Sequence, residues 1–277
     1  MLESLLTLQI QNKHCAKILH ITDTHLFSDN AGSLLGVKSN ASFLSVINEI
    51  KHTNKQYDLI VATGDFVQDG SKKSYARFAE QIKQFDTPCV WLAGNHDNFS
   101  YMQEVFSNYQ LVDNKAILLG ENWLILLLNS QVVGQAYGML SEKELQFLEE
   151  TLLVHADKNA LLFLHHHPIN SGCHWLDEHI LKNSDQLEKI IKKFPAIKGL
   201  GWGHIHQQQD HIWHNCHAFS TPSTCFQFKP NCYDFQLSNE DAPGWREIIL
   251  DEDGTLKSSV FRIADNRFLP DISQKGY

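Results

Sequence analysis

Five short polar groups carry the residue types that bind metals and move protons. They are Asp23-Thr24-His25, Gly64-Asp65, Gly94-Asn95-His96-Asp97, His165-His166-His167-Pro168 and Gly203-His204-Ile205-His206. Asp23 and His25 are two residues apart, as are His204 and His206, so on extended backbone each pair points to one side. Imidazole and carboxylate together suit first-row transition metals better than calcium or magnesium. About seven donors exceed the four that one zinc-like ion takes, and they match two ions sharing a bridging carboxylate. Glycine before Asp65, Asn95 and His204 lets the chain turn sharply beside a ligand. Taken singly each group has an ordinary explanation, since Gly-Asp is a common turn and a histidine is more often a core or surface residue. Their conjunction is what argues for a site.

The elements that must position these groups are legible as short apolar runs. Ile18 to Thr22, Leu59 to Thr63, Cys89 to Ala93, Trp123 to Leu128, Leu161 to Leu164 and Ile197 to Trp202 read as buried strands. Helical periodicity lies between them: Tyr75, Phe78, Ala79, Ile82 and Phe85 form one stripe ending before Pro88, and Leu187, Ile190, Ile191 and Phe194 form another ending before Pro195. Ser141-Glu142-Lys143-Glu144 reads as a capping box opening a third helix. Beyond about residue 209 helical periodicity gives way to strand signals. Tyr233 to Leu237 reads as a strand, and Trp245 to Leu250 with Leu256 to Ile263 reads as a hairpin turning at Asp253-Gly254. This is an α/β pattern, and no linker composition divides it, so a single domain over residues 1–277 is expected. In such sheets ligands bind at the carboxyl ends of the strands, where all five polar groups fall.

Composition narrows the partners. The 277 residues carry a net charge of −9, which disfavours nucleic acid and anionic membrane surfaces as partners, because both reward a basic surface. Sixteen histidines are present, ten of them between His165 and His217. The amino terminus lacks a secretory pattern, no apolar run is long enough to span a bilayer, and the six cysteines lack a paired C-x-x-C spacing. A cytoplasmic protein with free thiols is expected; its oligomeric state is left open.

The ordered motifs resemble the signature of the calcineurin-like metallophosphoesterases, Asp-x-His, Gly-Asp, Gly-Asn-His-Asp/Glu, His and Gly-His-x-His, with every element present. Longer segments resemble the bacterial class III 3′,5′-cyclic-AMP phosphodiesterases within that family, from near Leu5 to the carboxyl terminus. These include Ile21-Thr22-Asp23-Thr24-His25-Leu26-Phe27, Ala62-Thr63-Gly64-Asp65, Thr221-Pro222-Ser223-Thr224-Cys225-Phe226-Gln227-Phe228-Lys229-Pro230 and Ala242-Pro243-Gly244-Trp245-Arg246. The resemblance implies a four-layer α/β/β/α sandwich, with the strand-rich tail as the source of the second sheet. It also implies two transition-metal ions, iron and/or manganese. Asp23, His25, Asp65 and His206 would hold the first, and Asp65, Asn95, one of the triple histidines and His204 the second. The family's His-x-Pro pattern favours His166 for that place, whereas a one-residue shift at the strand end would present His165.

The implied reaction opens 3′,5′-cyclic AMP to 5′-AMP. His96, beside Asn95, would stabilise or protonate the departing ribose oxygen, with Asp97 orienting its ring. Substrate would meet His25, Asp65, Asn95, His96, His165 and His206, and Trp175 could stack on the purine or pack against the sheet. Two other readings compete: a broad-specificity phosphodiesterase or phosphomonoesterase on the same metals, and a scaffold that has lost catalysis.

Overall fold

The structure is a computed structural model that describes residues 5–264 and 266–276. In chain order its strands are β1 (Leu5–Leu8), β2 (Cys15–Ile21), β3 (Leu59–Ala62), β4 (Cys89–Trp91), β5 (Ala116–Leu119), β6 (Trp123–Leu127), β7 (Asn159–Phe163), β8 (Ile197–Trp202), β9 (Gln209–Trp213), β10 (Cys216–Ser220), β11 (Gly244–Asp251) and β12 (Leu256–Arg262). The helices are α1 (Ser39–His52), α2 (Lys72–Ile82), α3 (Phe99–Asn108), α4 (Glu142–Val154), α5 (His174–Asp177) and α6 (Ser184–Lys193). One sheet has the order β1-β5-β6-β7-β8-β10-β9 and the other β12-β11-β2-β3-β4.

Alternation along the strands explains why the sheets stack. Ile18, Leu59, Val61, Ile125, Leu161 and Phe163 meet in the layer between the sheets. Their chain neighbours Leu19, Ile60, Ala62, Leu124, Leu126 and Leu162 point the other way and pack with apolar residues of α1, α2, α4 and α6. Four layers, α/β/β/α, result. Among the described residues no helix is long and apolar enough to cross a membrane.

Three expectations change. The tail is divided between the sheets: β9 and β10 extend the seven-stranded sheet beside β8, while β11 pairs antiparallel with β2 and carries β12 outside it. Residues 233–237 form no strand; a single bridge joins Phe228 to Leu237, and the backbone of Cys232 and Tyr233 instead accepts hydrogen bonds from His174 N and Trp175 N. Only half of the capping box forms. Ser141 Oγ accepts from Glu144 N, but the Glu144 carboxylate binds Lys115 Nζ and Asn129 N.

Candidate metal centre and substrate pocket

The five polar groups follow β2, β3 and β4 of one sheet and β7 and β8 of the other, so the site lies where both sheets end together. Beyond the strands the backbone pairing continues: Asp23 N donates to Gly64 O at 3.0 Å and His25 N to Asp65 O at 3.0 Å. Asp23, His25, Asp65, His204 and His206 all have positive φ, between 43° and 67°. That region costs a non-glycine residue free energy and persists only where surrounding contacts hold it. Those contacts are visible. Ser223 Oγ donates to Asp23 O at 2.7 Å, Thr22 Oγ1 to Asp23 Oδ2 at 2.7 Å, and His204 N to the same Oδ2 at 3.0 Å.

Side chains then converge. Asp23, His25 and His206 present ligand atoms within 4.8 Å of one another, as do Asp23, Asp65 and His165, then His25, Asp65 and His96, and finally His165, His166 and His204. Asp65 therefore stands between the two ends of the cluster. His165 Nε2 lies 3.2 Å from Asp65 Oδ2 and 3.2 Å from Asn95 Oδ1. Close backbone approach makes this possible, because a Cβ on Gly94 would overlap Asp65 Oδ1.

The ring nitrogens test whether the cluster suits metal. His165 Nδ1 donates to Thr63 O at 2.6 Å and His206 Nδ1 to Phe226 O at 3.0 Å, while His25 Nδ1 sits 2.9 Å from Gln68 Oε1. Carbonyl acceptors at Nδ1 leave a lone pair on the Nε2 of a neutral ring, and two such atoms face each other, His25 Nε2 lying 3.1 Å from His206 Nε2. Lone pair against lone pair is unfavourable unless a cation lies among them, and outer partners of this kind orient metal-bound histidine. The buried Nε2 atoms of His166 and His204 also lack a hydrogen-bond partner. Burial, then His206, drives His25 down to about 3, and burial with neighbouring imidazoles holds His166 and His204 well below the ordinary range. All three present neutral rings. Burial also opposes protonation of His165, yet the Asp65 carboxylate lifts it to about 9. The residues fit metal ions.

Two of the expected residues have neighbours the sequence did not suggest. The Asp97 oxygens accept from Gly94 N at 2.9 Å, Phe66 N at 3.0 Å and Tyr75 OH at 3.2 Å, which clamps the turn carrying Asn95. Of the triple set, His165 is the member beside Asp65 and Asn95, while His166 shares a ligand group with His165 and His204. His166 Nδ1 pairs with Ser130 Oγ at 2.8 Å, and the backbone at Gly138 packs against its ring. Trp175 lies between an aromatic cluster and a cavity. It packs edge-on against Phe228 and Phe235, with centroids 4.7 and 5.0 Å away, and it lines a cavity of about 340 Å³ together with Asn95, His96 and His204. Sequence reasoning gave no role to Thr63, Gln68, Ser130 or Phe226; Thr63 adjoins Gly64-Asp65 and Phe226 lies in a segment that carries the resemblance, whereas Gln68 and Ser130 carried no signal. Two histidines of the excess are peripheral: His214 meets Glu188 at 2.8 Å, and His217 meets Asp210 at 3.2 Å.

A stacked pair of sheets with such a cluster at their common end defines a phosphoesterase, and the chain belongs to the calcineurin-like phosphoesterase family, whose model matches residues 16–208. Over 276 residues, all of both chains, it is 47% identical to the Escherichia coli (strain K12) 3′,5′-cyclic adenosine monophosphate phosphodiesterase CpdA. It is 43% identical to the Haemophilus influenzae protein of that name, over 96% of each chain. A dimetal phosphatase from Danio rerio shares the fold with a TM-score of 0.62 at 13% identity, covering 89% of this chain and 98% of the other. Family and side-chain clusters together indicate a dinuclear metal site.

Proposed function

We propose that the protein, acting as a single cytoplasmic domain, hydrolyses 3′,5′-cyclic AMP to 5′-AMP. Asp23, His25, Asp65 and His206 would hold one ion and Asp65, Asn95, His165 and His204 the other, with iron or manganese the best match to these donors. The observation that carries the reading is Asp65, set between two donor groups, with Asn95 and His204 lining an aromatic-walled cavity. The similarity to cyclic-AMP phosphodiesterases over the full chain narrows the substrate. Six free cysteines support a reducing compartment.

When bound, the ions supply Lewis acidity, polarising phosphoryl oxygens and lowering the pKa of a water. This chain's residues supply the rest. Asn95 contributes a neutral oxygen, leaving the centre more positive toward a phosphodiester anion than a third carboxylate would. His96 lines the cavity beside Asn95 and would pass a proton to the departing 3′ oxygen of the ribose. Trp175 and Phe228 offer the apolar wall on which a purine packs; such stacking contributes about 1–3 kcal/mol.

Purified protein with its metal content measured should turn over 3′,5′-cyclic AMP faster than 2′,3′-cyclic AMP or bis-p-nitrophenyl phosphate. Trp175→Ala should raise KM for cyclic AMP about fivefold or more while kcat changes little. Equal rates across the substrates would instead favour a broad-specificity phosphodiesterase.

A further inference from the structure

Two thiols meet behind the aromatic wall of the cavity. Cys173 Sγ and Cys232 Sγ lie 3.5 Å apart although 59 positions separate them in the chain. Both are free, Cys173 fully buried and Cys232 8% exposed. Cys173 immediately precedes α5 and Trp175, while Cys232 lies between Phe228 and Phe235. The two segments are already laced together: His174 N donates to Cys232 O and Trp175 N to Tyr233 O, each at 3.2 Å, and the His174 ring stacks on Tyr233 with centroids 4.3 Å apart. Both thiols point at one acceptor, Lys229 O, at 3.3 and 3.0 Å. A buried free cysteine ordinarily serves as a small apolar filler. A pair whose sulfurs are in contact, on backbones already hydrogen-bonded together, needs only a modest side-chain rotation to reach the roughly 2 Å of a disulfide.

We propose that Cys173 and Cys232 form a reversible oxidation site whose disulfide joins the two segments of the cavity wall, with a small-molecule disulfide of the glutathione type as oxidant. Only its catalytic consequence rests on the phosphodiesterase reading above. Cys232, the more exposed thiol, loses its proton and attacks one sulfur of the oxidant. The mixed disulfide forms, and the first small thiolate leaves and takes that proton. Cys173 then loses its proton and attacks Cys232 Sγ, expelling the second small thiol, which carries that proton away. The protein gives up two electrons and two protons, and the oxidant becomes two thiols.

Burial, with a further contribution from Cys173, holds the Cys232 thiol above its ordinary value. Thiolate is therefore scarce at neutral pH, so oxidation answers sustained oxidant and quickens as pH rises. Closing the bond takes Cys173 Sγ away from Gln207 Nε2, its donor at 3.4 Å, and draws on the segment that ends in Asp177. Asp177 Oδ1 meets His167 Nε2 at 3.3 Å, and the His167 ring stacks on His204. The disturbance thus reaches both the aromatic wall and the candidate ligands.

Holoenzyme treated with oxidised glutathione and mapped without reduction should yield a linked Cys173–Cys232 peptide, with KM for cyclic AMP raised threefold or more. Dithiothreitol should reverse both. Cys232→Ser should keep the reduced enzyme's KM and ignore the oxidant; Cys173→Ser, at a more buried position, is the second variant. Absence of the linked peptide, an unchanged KM once it has formed, or an equal response in Cys232→Ser would overturn the proposal. Should the reduced enzyme leave cyclic AMP intact, the functional reading fails separately, and the peptide map with KM for bis-p-nitrophenyl phosphate decides the disulfide.

Discussion

At Asp97 the carboxylate accepts three hydrogen bonds that fix the turn bearing Asn95 and His96. Its neighbour His96 lines the cavity instead. The two residues should therefore fail differently. His96→Ala is expected to lower kcat about a hundredfold or more with metal content and thermal stability near those of the parent. In Asp97→Asn one acceptor oxygen is replaced by a donor, leaving a buried N–H unpaired at a cost of about 1–3 kcal/mol. That variant should show a lower denaturation midpoint first and lost activity as a result. Metal loss from His96→Ala, or full stability in Asp97→Asn, would reverse these assignments.

Among the elements, β3 and β4 bring their following turns so close that Gly64 and Gly94 touch through backbone alone. Gly94→Ala would push a methyl group into Asp65. The fold should survive, because the sheets are formed elsewhere, but isothermal titration should show metal affinity reduced at least tenfold. Parent-like affinity would mean that the turn has slack to give. Strand ends made this site legible: Asp23, Asp65, Asn95 and His204 each follow an apolar run that reads as a strand without tertiary information. What could not be read was decided across the fold. Whether His165 or His166 meets Asp65 depends on how β7 leaves the sheet, and Asp97's partner Tyr75 comes from α2, 22 residues away. Leu5–Leu8 and Ala116–Leu119 are strands because they pair with each other as β1 and β5, a partnership distant in the chain that neither segment announces. Residues 233–237 alternate like a strand, but Tyr233 O accepts from Trp175 N and Gln236 O from Lys229 N, so no ladder forms.

Across the whole molecule, His20 of β2 ties the two sheets together beneath the site. Its ring meets Thr63 Oγ1 at 2.8 Å within its own sheet and Thr221 Oγ1, just past β10 of the other, at 2.6 Å. Burial, aided by Arg246, holds His20 down to about 3 from an ordinary 6.5. As pH falls below 6.5 the unfolded chain takes up this proton while the folded protein does not. The contribution is complete above that value and is lost progressively between 6.5 and about 3, at about 1.4 kcal/mol per pH unit. Denaturant unfolding followed against pH should show a shallower acid limb for His20→Gln than for the parent, from a lower starting stability. Parallel limbs would mean that His20 takes up its proton without loosening the fold.

The left-handed backbone at Asp23, His25, Asp65, His204 and His206 also bears on how the protein would respond to engineering. A library selected for thermal tolerance alone would drift toward glycine or asparagine there, since each relaxed position recovers on the order of 1 kcal/mol. The survivors would be hardier scaffolds with their metal donors stripped away. Robustness and chemistry compete at these positions, so stabilising changes belong in the helices and the intersheet layer, out of reach of this rim.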